Sequence, residues 1–172
     1  FAPNEAMRQG SLVDCLITEP GNFRDRYVVM PQCDRRTKAG KELYAEFVSR
    51  AGGREIITQD WLDNAHAIKA ELWMDPAVGP LLAKSHVSQK PHFWTDELGR
   101  ECRYKPDIET EDGWLIDLKK ARSANPAIFS RHSYSFAYDL QMAHYVEGYT
   151  DRYGEPPRNV AIIAYEWTPP YN

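Results

Sequence analysis

Apolar residues recur every three or four positions in some stretches of the chain and every second position in others, which sorts it into helices and strands. Met7, Val13, Leu16 and Ile17 share one helical face and predict a helix over residues 5–17, stopped by Pro20-Gly21. Residues 26–30 read as a short strand. Thr37 caps a helix that carries Leu43, Tyr44, Phe47 and Val48 and ends at Gly52-Gly53; Thr58 caps another through Trp61, Ala65, Ile68 and Leu72. Asp75-Pro76 opens a third, with proline at the first helical position. Then come a strand near residues 89–95, a β-hairpin with arms 102–107 and 114–119, a loop over 123–126 and a long helix over 134–153. Residues 159–167 form an almost unbroken apolar strand, the pattern of a buried central position, and Pro169-Pro170 ends it. This order predicts an α/β fold with a mixed central β-sheet flanked by helices, in a single domain over residues 1–172.

The hairpin carries the chemistry. Its polar turn runs through residues 109–113. On the second arm Trp114, Ile116 and Leu118 share the core face, while Leu115, Asp117 and Lys119 point the other way. Asp107 on the first arm then converges with Asp117 and Lys119 at one end of the hairpin. Pro106-Asp107 is the only Pro-Asp dipeptide in the chain and Asp117-Leu118-Lys119 the only acid-x-Lys triplet, and both fall within this short segment. Pro106 cannot donate to a sheet ladder, so it suits the point where a strand leaves its neighbour. Two carboxylates suit a hard divalent cation, Mg²⁺ or Mn²⁺, and the Leu118 backbone carbonyl could add a third oxygen. Lys119 would orient an attacking water or stabilise developing negative charge.

Composition narrows the setting. At 172 residues with 42% hydrophobic content, the chain can bury a substantial core, and no stretch has the length and apolarity of a membrane span. It begins with Phe1 rather than Met and carries no signal peptide, as a trimmed fragment of a longer chain would. Cys15, Cys33 and Cys102 are scattered and odd in number, which argues against a disulfide framework, a zinc site or an iron–sulfur cluster and for a reducing, cytoplasmic compartment. The net charge of −4 does not advertise a nucleic-acid binder. The basic residues are nevertheless bunched: Arg35, Arg36, Lys38 and Lys41; Lys119, Lys120 and Arg122; Arg131 with His132. Phosphate binding needs only such a local positive lining. His92, His132 and His144 read as surface or hydrogen-bonded structural histidines, and most of the Tyr and Trp residues as core.

Pro106-Asp107 followed by Asp117-Leu118-Lys119 resembles the PD-(D/E)XK nuclease signature, with its metal-binding pair and lysine. Gln141 and Tyr145 lie one turn apart on the next helix, on one face with Tyr138, and resemble the Gln-x-x-x-Tyr motif of the RecB-like branch. Further segments are similar to the RecE (exonuclease VIII) type of phage and prophage exonuclease: residues 35–42, Cys102-Arg103-Tyr104-Lys105-Pro106-Asp107, residues 145–149 and Gly10-Ser11-Leu12-Val13-Asp14. The resemblance implies a Mg²⁺-dependent 5′-to-3′ exonuclease on linear double-stranded DNA ends, in a bacterial host cell. It also implies a single-strand-annealing recombination partner and a ring-shaped homo-oligomer. Within it Asp14, Asp107, Asp117 and Leu118 would bind metal, Lys119 would assist the nucleophile, and Gln141 and Tyr145 would line the scissile site. Two positions depart from the pattern. Asp14 stands where these nucleases carry a metal-binding His, and Gln89 is the nearest match to an acidic residue on the strand before the hairpin.

Two other functions compete. One keeps the fold and cuts as a structure-specific or CRISPR-adaptation-type endonuclease. The other is a nuclease-like DNA-binding module without catalysis, which Asp14, Gln89 and the net charge of −4 would suit.

Overall fold

A computed structural model describes residues 2–171, which form two compact units, one up to Ala67 and one from Ile68 onward. The first unit opens with helix α1 (Glu5–Thr18), capped by the Asn4 side chain, whose Oδ1 accepts from the Met7 N–H at 2.9 Å. Leu12, Val13, Cys15 and Leu16 form its buried stripe. Helix α2 (Phe23–Arg26) leads into strand β1 (Tyr27–Val29), which pairs in parallel with β2 (Glu55–Ile57) across helix α3 (Lys38–Arg50). Thr37 caps α3 as expected, its Oγ1 accepting from the Gly40 N–H at 3.0 Å. The apolar stripe of α3 is not core, however: Leu43 and Val48 are exposed, and Gly40 is its one buried residue. Helix α4 (Gln59–Met74) starts at Thr58, whose Oγ1 accepts from the Trp61 N–H, and buries Ala65, Ile68 and Leu72.

The second unit holds the main sheet. Asp75 caps a turn rather than a helix, its Oδ1 accepting from the N–H groups of Ala77 and Val78 at 2.8 Å; the short helix α5 (Gly79–Ala83) begins only afterwards. Strands β3 (Ser85–Ser88), β4 (His92–Thr95), β5 (Glu101–Tyr104), β6 (Ile108–Thr110) and β7 (Trp114–Ala121) follow. Helices α6 (Pro126–Ser135) and α7 (Tyr138–Tyr153) then lead to β8 (Asn159–Glu166). The four-stranded sheet has the order β3-β6-β7-β8, antiparallel except for the parallel β7/β8 pair, so the sheet is mixed as predicted.

Four local expectations change. The hairpin partner of β7 is residues 108–110, not 102–107, because the stretch before Pro106 pairs with β4 in a separate two-stranded ribbon. The strand near 89–95 is confined to β4, since Gln89 adopts a left-handed φ of 53° that no strand allows. The long helix is broken at Ala137, also left-handed, between α6 and α7. Finally, the central strand is β7, flanked on both sides, whereas β8 ends the sheet order and buries only Ile163 and Tyr165. Leu115, Ile116, Asp117 and Leu118 are all buried, so β7 has no solvated face.

Helix α7 packs on this sheet through Met142 and Tyr149, which cluster with Leu115 and Tyr104; Trp94, Tyr145, Val146 and Ile162 lie against them. Close approach is possible because position 148 lacks a side chain. A Cβ there would lie 2.7 Å from Trp94 Cζ3 and 2.9 Å from Cη2, and closer still to Tyr104 Cδ1. Helix propensity alone would favour Gly148→Ala by about 1 kcal/mol. Overpacking against two interlocked rings opposes it and prevails, so Gly148→Ala is expected to destabilise the protein by about 1–3 kcal/mol, read as a lowered urea midpoint.

Candidate active site

The site is assembled where a backbone ladder ends. β6 pairs with β7 only at Ile108↔Ile116 and Glu109↔Leu115. Before Ile108 the chain passes through Pro106 toward β5, so the Leu118 N–H, on the same side of β7, has no backbone acceptor opposite it. The Asp107 side chain takes that place: its Oδ2 accepts from the Leu118 N–H at 2.6 Å. Its Oδ1 accepts from Gln89 Nε2, also at 2.6 Å. Gln89 is itself held by its own N–H, which donates to the carbonyls of Pro106 and Asp107 at 3.2 and 3.3 Å. The N–H and C=O of one strand residue project to the same side. The Leu118 carbonyl therefore faces the Asp107 side of the strand.

Asp117 projects from the face of β7 that α7 covers. Its Oδ1 accepts from Gln141 Nε2 at 3.3 Å, and its Oδ2 forms an ion pair with the Lys119 ammonium. Gln141 Nε2 also donates to the Tyr145 hydroxyl oxygen at 3.1 Å, as the one-turn spacing on α7 allows. The Lys119 ammonium lies 4.9 Å from the centroid of the Tyr138 ring, a cation–π contact. The second unit thus brings together Asp107, Asp117, Leu118, Lys119, Gln141 and Tyr145. Asp14 belongs to the first unit, on α1, where the Thr18 hydroxyl donates to its carbonyl at 2.7 Å.

Burial sets the electrostatics. Asp107 is pushed up to about 6, first by desolvation and then by the negative charge of Asp117, against the lowering effect of its bond from Leu118. Asp117 is likewise raised by burial, although Lys119 opposes the shift. Burial works to lower the Lys119 ammonium, but the Asp117 and Asp107 carboxylates outweigh it and the net direction is up. At neutral pH Lys119 is therefore a cation and not a base. Tyr145 is raised by burial and stays a neutral phenol.

Such a site fits a divalent cation through its donor chemistry. A buried and a half-buried carboxylate whose charges are under-compensated, beside a backbone carbonyl, are hard oxygen donors that a cation would relieve. Among the described residues no group of three or more His, Cys, Asp or Glu side chains converges. The fit is therefore to an ion such as Mg²⁺, which takes one or two carboxylates and fills its other positions with water and phosphate oxygens.

Sequence reasoning left two neighbours unassigned. Gln89 sits in the site as a hydrogen-bond donor to Asp107, and only its left-handed backbone aims it there, which no local pattern announces. Tyr138 covers Lys119; its shared face with Gln141 and Tyr145 was the available signal. Of the candidate histidines, His92 pairs with Asp151 at 2.7 Å, His144 lies 3.1 Å from the Arg103 carbonyl oxygen, and His132 lies edge-on to the Phe136 ring at 6.5 Å. Arg35 packs over the Tyr44 ring in the first unit.

The model of a PDDEXK-like domain of unknown function (DUF3799) matches residues 2–172. No curated protein matches the chain. Among solved structures, a protein described as a "putative exonuclease" from Eubacterium rectale is similar over 100% of this chain, with a TM-score of 0.63 and 17% identity. The chain spans 58% of that protein's length. The likeness concerns the fold. Among the described residues no helix is long and apolar enough to cross a membrane.

The raised Asp107 has a consequence for stability. A carboxyl at about 6 in the folded protein, above its ordinary 3.8, binds more protons folded than unfolded between those values. Its contribution is thus least unfavourable below pH 4 and becomes fully destabilising above pH 6. Asp107→Asn removes that dependence. In metal-free buffer the melting temperature of the variant relative to wild type is expected to rise between pH 4 and pH 7, and added Mn²⁺ to raise the wild type more than the variant.

Proposed function

The chain belongs to the PDDEXK-like domain family, and from that premise we propose that it is a divalent-metal-dependent deoxyribonuclease, specifically a RecE-like 5′-to-3′ exonuclease on linear double-stranded DNA. The observation that carries the proposal is the connected cluster of Asp107, Asp117, Lys119, Gln141 and Tyr145 at the end of the β6/β7 ladder. Asp107, Asp117 and the Leu118 carbonyl would hold Mg²⁺, with Mn²⁺ able to substitute. When bound there, such an ion would neutralise charge at the phosphate and ease deprotonation of the attacking water near neutral pH. Lys119, kept cationic by its carboxylate neighbours, stabilises negative charge that develops on the phosphate oxygens. Gln141 holds the Asp117 carboxylate on one side and the Tyr145 oxygen on the other, leaving the phenol proton free to donate to a phosphate oxygen.

The RecE-like reading extends to free 3′ strands handed to a single-strand-annealing protein, to a ring-shaped homo-oligomer and to a bacterial cytoplasm of phage or prophage origin. A catalytically inactive DNA-binding module is the second reading. It draws on Gln89, a neutral amide bonded to Asp107 and the nearest match to the acid that RecE-like nucleases can carry on the strand before the hairpin.

Incubation with linear and with covalently closed duplex DNA and Mg²⁺ separates these readings. An exonuclease degrades the linear form alone, an endonuclease cuts both, and an inactive module binds without cutting. Asp117→Ala and Lys119→Ala are each expected to lower the rate by about 10²-fold or more, the effect of removing a preorganised charge partner. Gel-resolved degradation at wild-type rate by either variant would sink the site assignment.

A further inference from the structure

The proposed chemistry leaves unused a set of aromatic side chains that begins at Lys119. Tyr138 lies on the Lys119 ammonium. Phe136 stacks on Tyr138 with centroids 5.7 Å and planes 22° apart, and Phe129 lies against Tyr138 at 6.2 Å and 30°. The outer end of the ladder is open: Phe136 is 67% exposed and its neighbour Tyr134 83%. Large rings held this far into water are an unfavourable surface unless something covers them.

The backbone is bent to build this ladder. In an unbroken helix, residues 136 and 138 would point to different sides. Ala137, at φ 53° and ψ 40°, breaks the helix between α6 and α7 and lets both rings fold together. That conformation disfavours any residue with a Cβ, so the corner is held in place by its surroundings.

Charge identifies the occupant. Between Asp117 and Asp139 the sequence has four basic residues, Lys119, Lys120, Arg122 and Arg131, and no acidic one, in a chain of net charge −4. Lys120 turns to the Trp167 ring, and Lys119 is the cation that meets the ladder, at Tyr138. Flat rings that end on a cation match the two chemistries of an unpaired nucleotide strand, the π face of the base and the phosphate between bases. Bases inside a duplex are already stacked on one another and offer no face. We propose that Phe136, continued inward by Tyr138, is a stacking platform for unpaired bases at a DNA end. It would take a frayed or overhanging strand whose backbone leads to Asp107 and Asp117. The inference rests on the nuclease reading for its orientation, while base stacking itself requires no cleavage.

The test measures binding in Ca²⁺, without turnover, by fluorescence anisotropy. The probes are duplexes with a short single-stranded overhang, either of ordinary nucleotides or of abasic ones. Wild type is compared with Phe136→Ala, Phe136→Leu (apolar without a π face) and Phe136→Trp. Phe136 is exposed, so these variants keep the fold. The Ala and Leu variants are expected to bind the ordinary overhang about tenfold more weakly, with Trp retaining affinity. Wild type should lose a similar factor on the abasic overhang, to which the Ala variant is indifferent. Equal binding of both probes by wild type and Phe136→Ala overturns the platform. So does a wild type that binds neither probe, or one that sedimentation shows to be an oligomer dissociated by Phe136→Ala. Degradation of linear DNA alongside an indifferent Phe136 overturns the platform alone; stacking without any cleavage in Mg²⁺ overturns the nuclease reading alone.

Discussion

The Leu118 N–H needs an acceptor where β6 peels away from β7, and the Asp107 carboxylate supplies it at 2.6 Å. A buried backbone donor left unpaired would cost about 1–3 kcal/mol, so this side chain completes the sheet as much as it belongs to a site. Several things follow from that one bond. It pins Asp107 at the open edge of the strand, with the Leu118 carbonyl on the same side. Strand alternation then sends Asp117 and Lys119 out of the sheet, toward α7. Pro106, which has no N–H to give to a ladder, sits at the divergence, and its carbonyl accepts from the Gln89 N–H at 3.2 Å instead of from β7.

Packing of α7 completes the geometry. Met142 and Tyr149 seat the helix on Leu115 and Tyr104, and the missing side chain at Gly148 lets it approach closely. Gln141, one residue before Met142, then meets Asp117, and Tyr145 follows one turn later. The same packing excludes water from Asp117, which raises it. Close packing and chemical readiness therefore have one cause here.

The candidate residues were largely legible as a cluster, Asp117 and Lys119 by alternation along one strand, Asp107 by its place after Pro106, and Gln141 and Tyr145 by spacing along a helix. What stayed hidden depends on single backbone angles or on distant partners. Ala137 carries no helix-breaking side chain, so nothing local marked the end of α6. Residues 102–104 have the alternation of a hairpin arm, yet β4 claims them, and after Pro106 only Ile108 and Glu109 pair with β7. The apolar run of residues 159–167 suggested a central strand, whereas the shorter run of β7, interrupted by Asp117 and Lys119, holds that position. Functional charges there mask the hydrophobic signature of burial.

A second buried acid on the same hairpin separates structural from chemical carboxylates. Glu109, two residues beyond Asp107, is as buried as Asp117. Its oxygens accept from the hydroxyls of Tyr104 at 2.8 Å and Tyr153 at 2.7 Å, with Arg152 within 3.4 Å as counter-charge. Every partner Glu109 needs is supplied by the protein, and its neighbourhood is closed by aromatic rings. Asp107 and Asp117 share a single cation, and each depends on a neutral amide, Gln89 or Gln141, for further support. Among the described residues, two carboxylates against the Lys119 ammonium leave a deficit of positive charge. The Glu109 network shows that the same strands can satisfy a buried acid completely. The deficit at Asp107 and Asp117 is thus a local property of that site, and it is the charge that a divalent cation would balance.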